Sequence, residues 1–256
     1  MRLSPFTIHY PTASAGPACD LGVISSFNPS RIVHAMTIVI GLLDPGGEVL
    51  VATDSRASDE KTMTLRDGVL KSVRINDKCA IAFAGQELWA NNLIGNLFEL
   101  PQAQTVGSED ILDYVEKNEL TLDEDPFAVA YRIRCIFNDY RRRAAEGQME
   151  IPALNAVIVA TDERDPYLTA WARKWDGGQV TRNRAVDKAV FQVFGPGGPK
   201  EAKDVLSDLS IPIWERIRKA AQICRDICPC GVNLDVSVRR AADGFRLKKL
   251  SDFLAV

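Results

Sequence analysis

The segment Thr37-Ile38-Val39-Ile40-Gly41-Leu42-Leu43 is a short apolar run, and the turn sequence Asp44-Pro45-Gly46-Gly47 follows it directly. A second apolar run covers residues 49–53. Two short runs rich in β-branched residues and separated by proline and glycine are typical of an antiparallel hairpin. The fold is therefore predicted to begin with two paired strands, and Thr37 opens the first of them.

The next two apolar runs repeat this pattern. Residues 69–75 follow the Asp67-Gly68 turn, and residues 79–84 follow Asn76-Asp77-Lys78. These turn residues predict a second hairpin. Four consecutive strands joined in this way predict one sheet in the first part of the fold.

Helical and strand patterns alternate over the remainder of the chain. Spacings of three and four between apolar residues predict helices at residues 86–100, 126–145, 200–209 and 212–224, and short apolar runs predict strands at residues 155–161, 167–171, 189–194, 232–239 and 245–249. Elements grouped in this way favour antiparallel sheets over a parallel doubly wound sheet. The predicted fold class is α+β, a four-layer αββα sandwich of two antiparallel sheets covered by helices.

Residues 1–36 differ in composition from the rest of the chain. They contain Pro5, Pro11, Pro17 and Pro29, few charges and no periodicity. Such a segment is predicted to be a disordered leader, a propeptide or a mis-assigned start, because it has no pattern that would bury apolar surface. Residues 37–256 are predicted to form one domain, for which an apolar content of 46% over the chain is ample.

The composition also argues against several classes of partner. A net charge of −3 without long blocks of like charge gives no case for nucleic acid. The chain lacks an apolar run of about 18 residues and the pattern of a signal peptide, so a cytoplasmic protein without a membrane partner is predicted. The six cysteines are predicted to be reduced thiols. Cys224, Cys228 and Cys230 form only a weak zinc pattern, so neither a metal nor another cofactor is predicted.

Histidine is confined to the first 36 residues, where His9 and His34 lie. Catalysis in the body of the chain would therefore need a nucleophile and a base without imidazole. A threonine whose own α-amine accepts the proton is one of few solutions, because the pKa of such an amine is about 7.7. Thr37 can act in this way only if it becomes the first residue of the mature chain.

Four segments of the body, in order, resemble the proteasome β-type subunits and the related bacterial HslV protease, which belong to the N-terminal-nucleophile (Ntn) hydrolases. The segments are Thr37-Ile-Val-Ile-Gly41, Val49-Leu-Val-Ala-Thr-Asp54-Ser-Arg56-Ala-Ser58, Lys71-Ser-Val-Arg-Ile-Asn-Asp-Lys78 and Ile81-Ala-Phe-Ala-Gly85. The similarity extends from residue 37 to about residue 249. It implies the Ntn-hydrolase fold and a threonine endopeptidase that cleaves peptides or unfolded proteins.

The resemblance implies a role for each site residue. Thr37 is the implied nucleophile, Lys71 a charged neighbour that lowers the pKa of the threonine amine and hydroxyl, and Asp54 the counter-ion of Lys71. Gly85 is implied to donate its N–H to the oxyanion. The other implied residues are Asp226 in the catalytic set, Ser58 as a main-chain contact to substrate, and Val69, Val73 and Phe83 as the lining of the substrate pocket.

The C-terminal half departs from the family pattern. Pro196, and Pro229 or Cys230, stand where the family has two serines that hydrogen-bond around the threonine amine. Their loss keeps open a non-catalytic scaffold subunit of the same fold. An amidase that acts on a small molecule is a further alternative.

The resemblance also implies partners and a processing step. The family assembles into stacked rings, so a homo-oligomeric ring and an ATP-driven unfoldase are implied partners. Eukaryotic-type subunits usually carry glycine before the threonine, whereas HslV-like chains expose it by removing the initiator methionine. Because Met36 precedes Thr37, we expect either that translation begins at Met36 or that the Met36–Thr37 bond is cut.

Overall fold

The computed structural model describes residues 37–58, 64–100, 110–148, 154–161, 166–171, 189–194, 200–228 and 232–254, with the backbone alone at residues 58, 166–171 and 190–194. The predicted leader, residues 1–36, lies outside these ranges. Pro196, Pro229 and Cys230, the positions that depart from the family pattern, lie outside them as well.

Strands and short helices fill most of the described residues. The strands are β1 (Val39–Leu43), β2 (Val49–Asp54), β3 (Ala57–Ser58), β4 (Leu65–Arg66), β5 (Ser72–Asn76), β6 (Cys79–Gly85), β7 (Leu154–Thr161), β8 (Pro166–Trp171), β9 (Val190–Phe194), β10 (Val236–Arg240) and β11 (Leu247–Lys249). The helices are α1 (Glu87–Leu97), α2 (Ile111–Lys117), α3 (Pro126–Ala145), α4 (Lys200–Ser207), α5 (Ile213–Ile227) and α6 (Ser251–Leu254), and a 3₁₀-helix covers Ala241–Asp243. None of the described helices has both the length and the apolar character needed to cross a membrane.

The first hairpin forms where the sequence predicts it. β1 and β2 pair in antiparallel fashion, with Val39 opposite Thr53 and Leu43 opposite Val49. The Asp44 carbonyl accepts a hydrogen bond of 2.9 Å from the Gly47 N–H, which closes the turn. Gly47 has a φ of +89°, a conformation that glycine adopts without strain.

The two predicted hairpins belong to different sheets. A five-stranded antiparallel sheet has the order β11-β10-β2-β1-β9, and a four-stranded antiparallel sheet has the order β5-β6-β7-β8. The prediction that the first four strands form one sheet is therefore wrong. β2 is buried along its whole length, and it pairs its second edge with β10, from the far end of the chain, instead of with β5.

The predicted helices are present, with small differences at their ends. α3 covers the predicted residues and begins at Pro126, after Asp125, whose side chain accepts a hydrogen bond from the Phe127 N–H. Pro212 caps α5 at its N-terminus, where the missing N–H of a proline is tolerated. Helix α2 was not predicted, because its seven residues complete only about two turns of apolar spacing.

Buried apolar residues fall into three clusters. The first combines residues of β5, β6 and β7 with residues of α1, α2 and α3, and it includes Ile81 and Phe83. The second combines residues of β1, β2 and β10 with residues of α4 and α5. The third joins the two sheets and includes Ala82 of β6 together with Val51 of β2. The fold is thus α+β, with two antiparallel sheets and several helices that share a buried apolar interior.

Candidate functional site

Thr37, Asp54 and Lys71 come together in the interior of the protein. The Lys71 Nζ lies 3.0 Å from the Thr37 Oγ1 and 2.9 Å from the Asp54 Oδ1. The exposed fraction is 7% for Thr37, 1% for Asp54 and 8% for Lys71. The three residues predicted to carry the chemistry therefore form one buried hydrogen-bonded group.

Strand pairing brings these residues to one place. Thr37 lies just before β1, and Asp54 ends β2, the antiparallel partner of β1. The Asp54 N–H donates to the Ile38 carbonyl over 3.3 Å, which continues the pairing beyond β1. Lys71 directly precedes β5 of the other sheet, so its side chain joins the two sheets.

The Asp54 carboxylate is held by three donors. Its Oδ1 accepts from the Ile38 N–H over 2.9 Å and from the Lys71 ammonium, and its Oδ2 accepts from the Arg56 N–H over 3.1 Å. Main-chain donors on both sides leave the carboxylate little freedom to rotate. Asp54 is thus oriented by the backbone of its own hairpin, and this orientation directs one oxygen at Lys71.

The Lys71 ammonium has an acceptor for each of its three N–H groups. Besides Thr37 and Asp54, it donates to the main-chain carbonyl of Arg56. An ammonium has three donors and no acceptor, so these contacts satisfy it completely. The Thr37 Oγ1 accepts from Lys71 and keeps its own proton available for transfer to a base.

Burial shifts the pKa of both members of the ion pair. Loss of hydration raises the pKa of the Asp54 carboxyl, against the attraction of Lys71 and the hydrogen bonds that it accepts. The same loss of hydration lowers the pKa of Lys71, against the attraction of Asp54. The ammonium therefore gives up its proton more easily than that of an exposed lysine, while the pairing with Asp54 keeps its orientation.

Gly85 lies at the same end of the four-stranded sheet as Lys71. The Phe83 N–H donates to the Lys71 carbonyl over 2.8 Å, and Gly85 follows two residues later as the last residue of β6. Its φ of +127° is one that residues with a side chain rarely adopt. This conformation ends the strand and leads into α1, two residues after the main-chain partner of Lys71.

The predicted pocket residues have different surroundings. Val73 and Phe83 are 0% and 3% exposed, and both belong to the apolar cluster under α1, α2 and α3. Val69 is 9% exposed, and its N–H donates to the Ser55 carbonyl over 2.9 Å. Ser58 pairs with Leu65 in the short β3–β4 ladder. Their contacts to a substrate stay a prediction.

Asp226 is not joined to the group. It lies in the last turn of α5, where its side chain is exposed and accepts a hydrogen bond of 2.6 Å from the Gln222 Nε2. Within the described residues no hydrogen bond links it to Thr37, Asp54 or Lys71. The structure therefore assembles three of the predicted catalytic side chains and leaves the fourth on the surface of a helix.

A polar network that sequence reasoning missed supports the main chain next to the group. Asn233 accepts from the Ser55 N–H over 3.2 Å and donates to the Ser55 Oγ over 3.0 Å. Its amide also donates to Asp67 over 2.9 Å, and Asp67 pairs with Arg56, which holds the pKa of Asp67 below its usual value. The network fixes residues 55 and 56, whose carbonyl groups contact Val69 and Lys71. Of the residues in this network, the sequence pattern had singled out only Asp67, as part of the Asp67-Gly68 turn.

Cys79 and Cys224 are free thiols in the interior of the protein. Burial, with a further contribution from the charge of Asp54, raises the pKa of the Cys224 thiol to about 11, and burial also raises that of Cys79. Neither thiol ionises readily, so neither is a nucleophile at neutral pH. In the same part of the chain, no group of three or more His, Cys, Asp or Glu residues is placed to hold a metal ion.

The arrangement has a definite chemical capacity. A buried ammonium that donates to a hydroxyl stabilises the alkoxide form of that hydroxyl, and a fixed carboxylate keeps the ammonium in position. A base for the hydroxyl proton is still required, because the ammonium of Lys71 only donates and a peptide nitrogen is not a base. No protein-family model matches the chain, and no curated protein matches it either.

Proposed function

We propose that this protein is a threonine-type endopeptidase that uses Thr37 as an N-terminal nucleophile. The observation that carries the proposal is the position of the Lys71 ammonium, 3.0 Å from the Thr37 hydroxyl and 2.9 Å from the Asp54 carboxylate. A hydroxyl of ordinary pKa needs both a base and a nearby positive charge to attack a carbonyl at neutral pH. The group provides the charge, and cleavage of the Met36–Thr37 bond would provide the base.

The proposed reaction begins when the free α-amine of Thr37 accepts the proton of the Thr37 Oγ1. The oxygen attacks the carbonyl carbon of a peptide, and the electron pair of the carbonyl moves to its oxygen. The amine then passes the proton to the leaving nitrogen, the electron pair of the oxyanion re-forms the carbonyl, and the C–N bond of the peptide breaks. The amine product leaves, and an ester between Thr37 and the substrate remains. Water, activated by the same amine, hydrolyses this ester and restores the hydroxyl.

Lys71, Asp54 and Gly85 have supporting roles in this proposal. The Lys71 ammonium stabilises the developing alkoxide and lowers the pKa of the Thr37 amine through its positive charge. Asp54 keeps Lys71 oriented, because a buried cation without a counter-ion is unfavourable. The Gly85 N–H donates to the oxyanion, a contact of a type that contributes about 3–4 kcal/mol in acyl transfer.

The fold proposed for this activity is the four-layer αββα sandwich of the Ntn hydrolases. Alternate residues of β6 support it, since Ile81 belongs to the cluster with α1, α2 and α3 while Ala82 belongs to the cluster that joins the sheets. On the other side, Leu50 of β2 belongs to the cluster with α4 and α5. Helices, sheet, sheet and helices in this order would bury both faces of each sheet.

The proposal extends to assembly and location. Following the resemblance to proteasome β-type subunits, we propose a homo-oligomeric cytoplasmic ring that receives unfolded substrates from an ATP-driven unfoldase. A ring of this kind would confine the cleavage to chains that have already been unfolded.

A non-catalytic subunit of the same fold is the second candidate. The position of Asp226 favours it, because this carboxylate is exposed and bonded to Gln222 instead of to the buried group. Such a subunit would keep the Lys71–Asp54 ion pair as a structural link between the sheets and would lack measurable turnover.

The test is a comparison of the full-length protein with its Thr37→Ala and Thr37→Ser variants. Mass spectrometry of the purified protein should show Thr37 as the first residue, and fluorogenic peptides should be cleaved. An epoxyketone that reacts with both the hydroxyl and the amine of an N-terminal threonine should add once per active chain. Thr37→Ala should abolish both reactions, whereas Thr37→Ser should keep part of the cleavage. Undiminished cleavage by the Thr37→Ala variant would reject the proposal, and a processed protein without turnover would favour the non-catalytic subunit.

A further inference from the structure

Arg239 is a charged residue buried between the two sheets. Its exposed fraction is 0%, and it lies on β10, opposite Val51 of β2. Its neighbours Val236 and Val238 belong to the cluster with α4 and α5. Since side chains alternate along a strand, Arg239 points from the other face of the five-stranded sheet, toward the four-stranded sheet.

Every N–H of the Arg239 guanidinium has an acceptor. The Nε donates to the Ser72 Oγ over 2.9 Å, and one terminal nitrogen donates to the Ser72 carbonyl over 3.0 Å. The same nitrogen donates to the Glu116 carboxylate over 2.7 Å. The other terminal nitrogen donates to the Phe245 carbonyl over 3.1 Å and to Glu116 over 3.4 Å. A guanidinium has five N–H donors, so this set of contacts is complete.

The residue that Arg239 holds is the direct neighbour of Lys71. Ser72 begins β5, which is the end strand of the four-stranded sheet. The Lys71 carbonyl is bonded inward, to the N–H of Phe83 on β6. Because successive carbonyls of a strand point to opposite sides, the Ser72 carbonyl points outward from the sheet edge, where none of the described strands donates a hydrogen bond to it. The Arg239 guanidinium donates the hydrogen bond that a neighbouring strand would otherwise donate to this carbonyl.

This contact spans the same gap that the Lys71 side chain spans. Arg239 reaches from the five-stranded sheet to the main chain of β5, and Lys71 reaches from the start of β5 back to Asp54 of the five-stranded sheet. Glu116 of α2 holds the guanidinium from the helix side of β5. A shift of β5 along its axis would break the Ser72 contacts and would move the Lys71 Nζ away from Thr37.

We propose that Arg239, with Glu116 as its counter-ion, is a positioning residue that sets the distance between the Lys71 ammonium and the Thr37 hydroxyl. The consequence for catalysis rests on the proposed function, whereas the effect on Lys71 itself does not. Arg239 touches neither Thr37 nor a substrate in this role, and it acts through its contacts with both the side chain and the main chain of Ser72.

Two variants test this role, and a third is a matched control. Arg239→Lys keeps the charge but cannot form the forked contact with Ser72, and Ser72→Ala removes one acceptor with little change in volume. Arg216→Lys is the control, because Arg216 is also buried, with 3% of its side chain exposed, and pairs with Asp44 over 2.5 Å. Asp44 lies at the end of β1 remote from Thr37. If Arg239→Lys does not fold, Ser72→Ala carries the test.

The first readout is the titration of Lys71, followed by NMR in full-length protein with ¹³Cε-labelled lysine. The Lys71 signal is assigned by its loss in Lys71→Arg. Burial lowers the pKa of Lys71, and a displaced Lys71 is more hydrated, so its pKa should rise toward that of an ordinary lysine in Arg239→Lys and in Ser72→Ala. It should stay unchanged in Arg216→Lys.

The second readout is the cleavage of a fluorogenic peptide. A small misplacement of a catalytic group lowers kcat by up to about 100-fold, so Arg239→Lys should lose about 10- to 100-fold in kcat at unchanged KM. Arg216→Lys should keep its kcat. An unchanged Lys71 titration in both test variants overturns the positioning role, even if the protein is an active peptidase. If the unaltered protein cleaves no peptide, the proposed function fails, and the NMR comparison still decides the role of Arg239.

Discussion

The Lys71 ammonium donates to the Thr37 hydroxyl over 3.0 Å, although the two residues are 34 positions apart in the chain and precede strands of different sheets. Asp54 is bonded to the same ammonium and to the N–H of Ile38, the residue after Thr37. One carboxylate thus holds both the cation and the main chain that carries the nucleophile. The geometry of the group depends on this double contact.

Removal of the Asp54 charge should lower the stability of the folded protein. Asp54→Asn leaves the buried Lys71 ammonium without its counter-ion, and breaking a buried ion pair in this way lowers the free energy of unfolding by about 3–5 kcal/mol. Urea denaturation of Asp54→Asn, Lys71→Met and the double variant measures this effect. The double variant should lose less than the sum of the two single losses, because it leaves no uncompensated charge. Additive losses would show that the two residues do not interact.

A positive charge at position 71 should not be sufficient for turnover, because the shape of the lysine ammonium also matters. Lys71→Arg keeps a cation, but the planar guanidinium cannot direct three donors at Thr37, Asp54 and Arg56 from one point. We expect the kcat for peptide cleavage to fall by at least about 100-fold in both Lys71→Arg and Lys71→Met. Lys219→Arg, on the partly exposed side of α5, is the control and should retain full activity. A Lys71→Arg variant as active as the control would contradict the role given to the ammonium.

A side chain at position 85 should reduce activity more than its effect on stability explains. Gly85 has a φ of +127°, so Gly85→Ala strains the backbone by about 1–3 kcal/mol and moves the N–H assigned to the oxyanion. Gly147 has a φ of +71°, and an added Cβ there meets nothing within 4 Å. Gly147→Ala should therefore lose similar stability in thermal denaturation and keep its kcat. Equal activities of the two variants at equal stability would show that the Gly85 N–H has no role in the reaction.

Stability should fall as the pH rises through the range in which Asp110 ionises. Burial and a hydrogen bond with Glu87 raise the pKa of Asp110 to about 7 in the folded protein, and the nearby charge of Asp113 acts in the same direction. An acid with a raised folded-state pKa binds more protons folded than unfolded, so it contributes stability at low pH that is lost between about pH 4 and pH 7.

Asp110→Asn tests this pH effect while keeping the helix cap. Asp110 accepts from the Leu112 N–H over 2.9 Å at the start of α2, and an asparagine oxygen can accept the same hydrogen bond. The free energy of unfolding of the variant, measured by urea denaturation from pH 5 to pH 8, should depend less on pH than that of the unaltered protein. Identical slopes for the two proteins would refute the assignment to Asp110.

Local patterns predicted most of the elements correctly. The bounds of α3 agree with its apolar spacing and with Pro126 at its start, and the Asp44–Gly47 turn forms the first hairpin. β10 begins later than its apolar run predicts, because Asn233 and Asp235 are used in side-chain contacts with Ser55 instead. The contacts that shorten the strand come from a residue that is 178 positions away, and no local pattern contains such a partner.

The candidate site was predicted in part. The resemblance to the proteasome β-type subunits implied a group of Thr37, Asp54 and Lys71, and the structure assembles these three residues. Asp226, implied by the same resemblance, lies exposed at the end of α5. The burial of Arg239 could not be predicted from the sequence, since an arginine near the end of a strand is usually exposed to solvent. Its burial depends on tertiary contacts, with Ser72 of β5, Glu116 of α2 and the Phe245 carbonyl.

The amino-acid sequence by itself determined the turns, the alternation of apolar residues and the ends of the longer helices, because these depend on backbone preferences within a few neighbouring residues. The tertiary structure alone decided that the two hairpins lie in separate sheets, since the free edges of β2 and β6 are completed by strands from later in the chain. It likewise decided that a lysine and a threonine from those sheets share one buried hydrogen bond. Such distances depend on how whole sheets pack, and packing is a property of the complete chain.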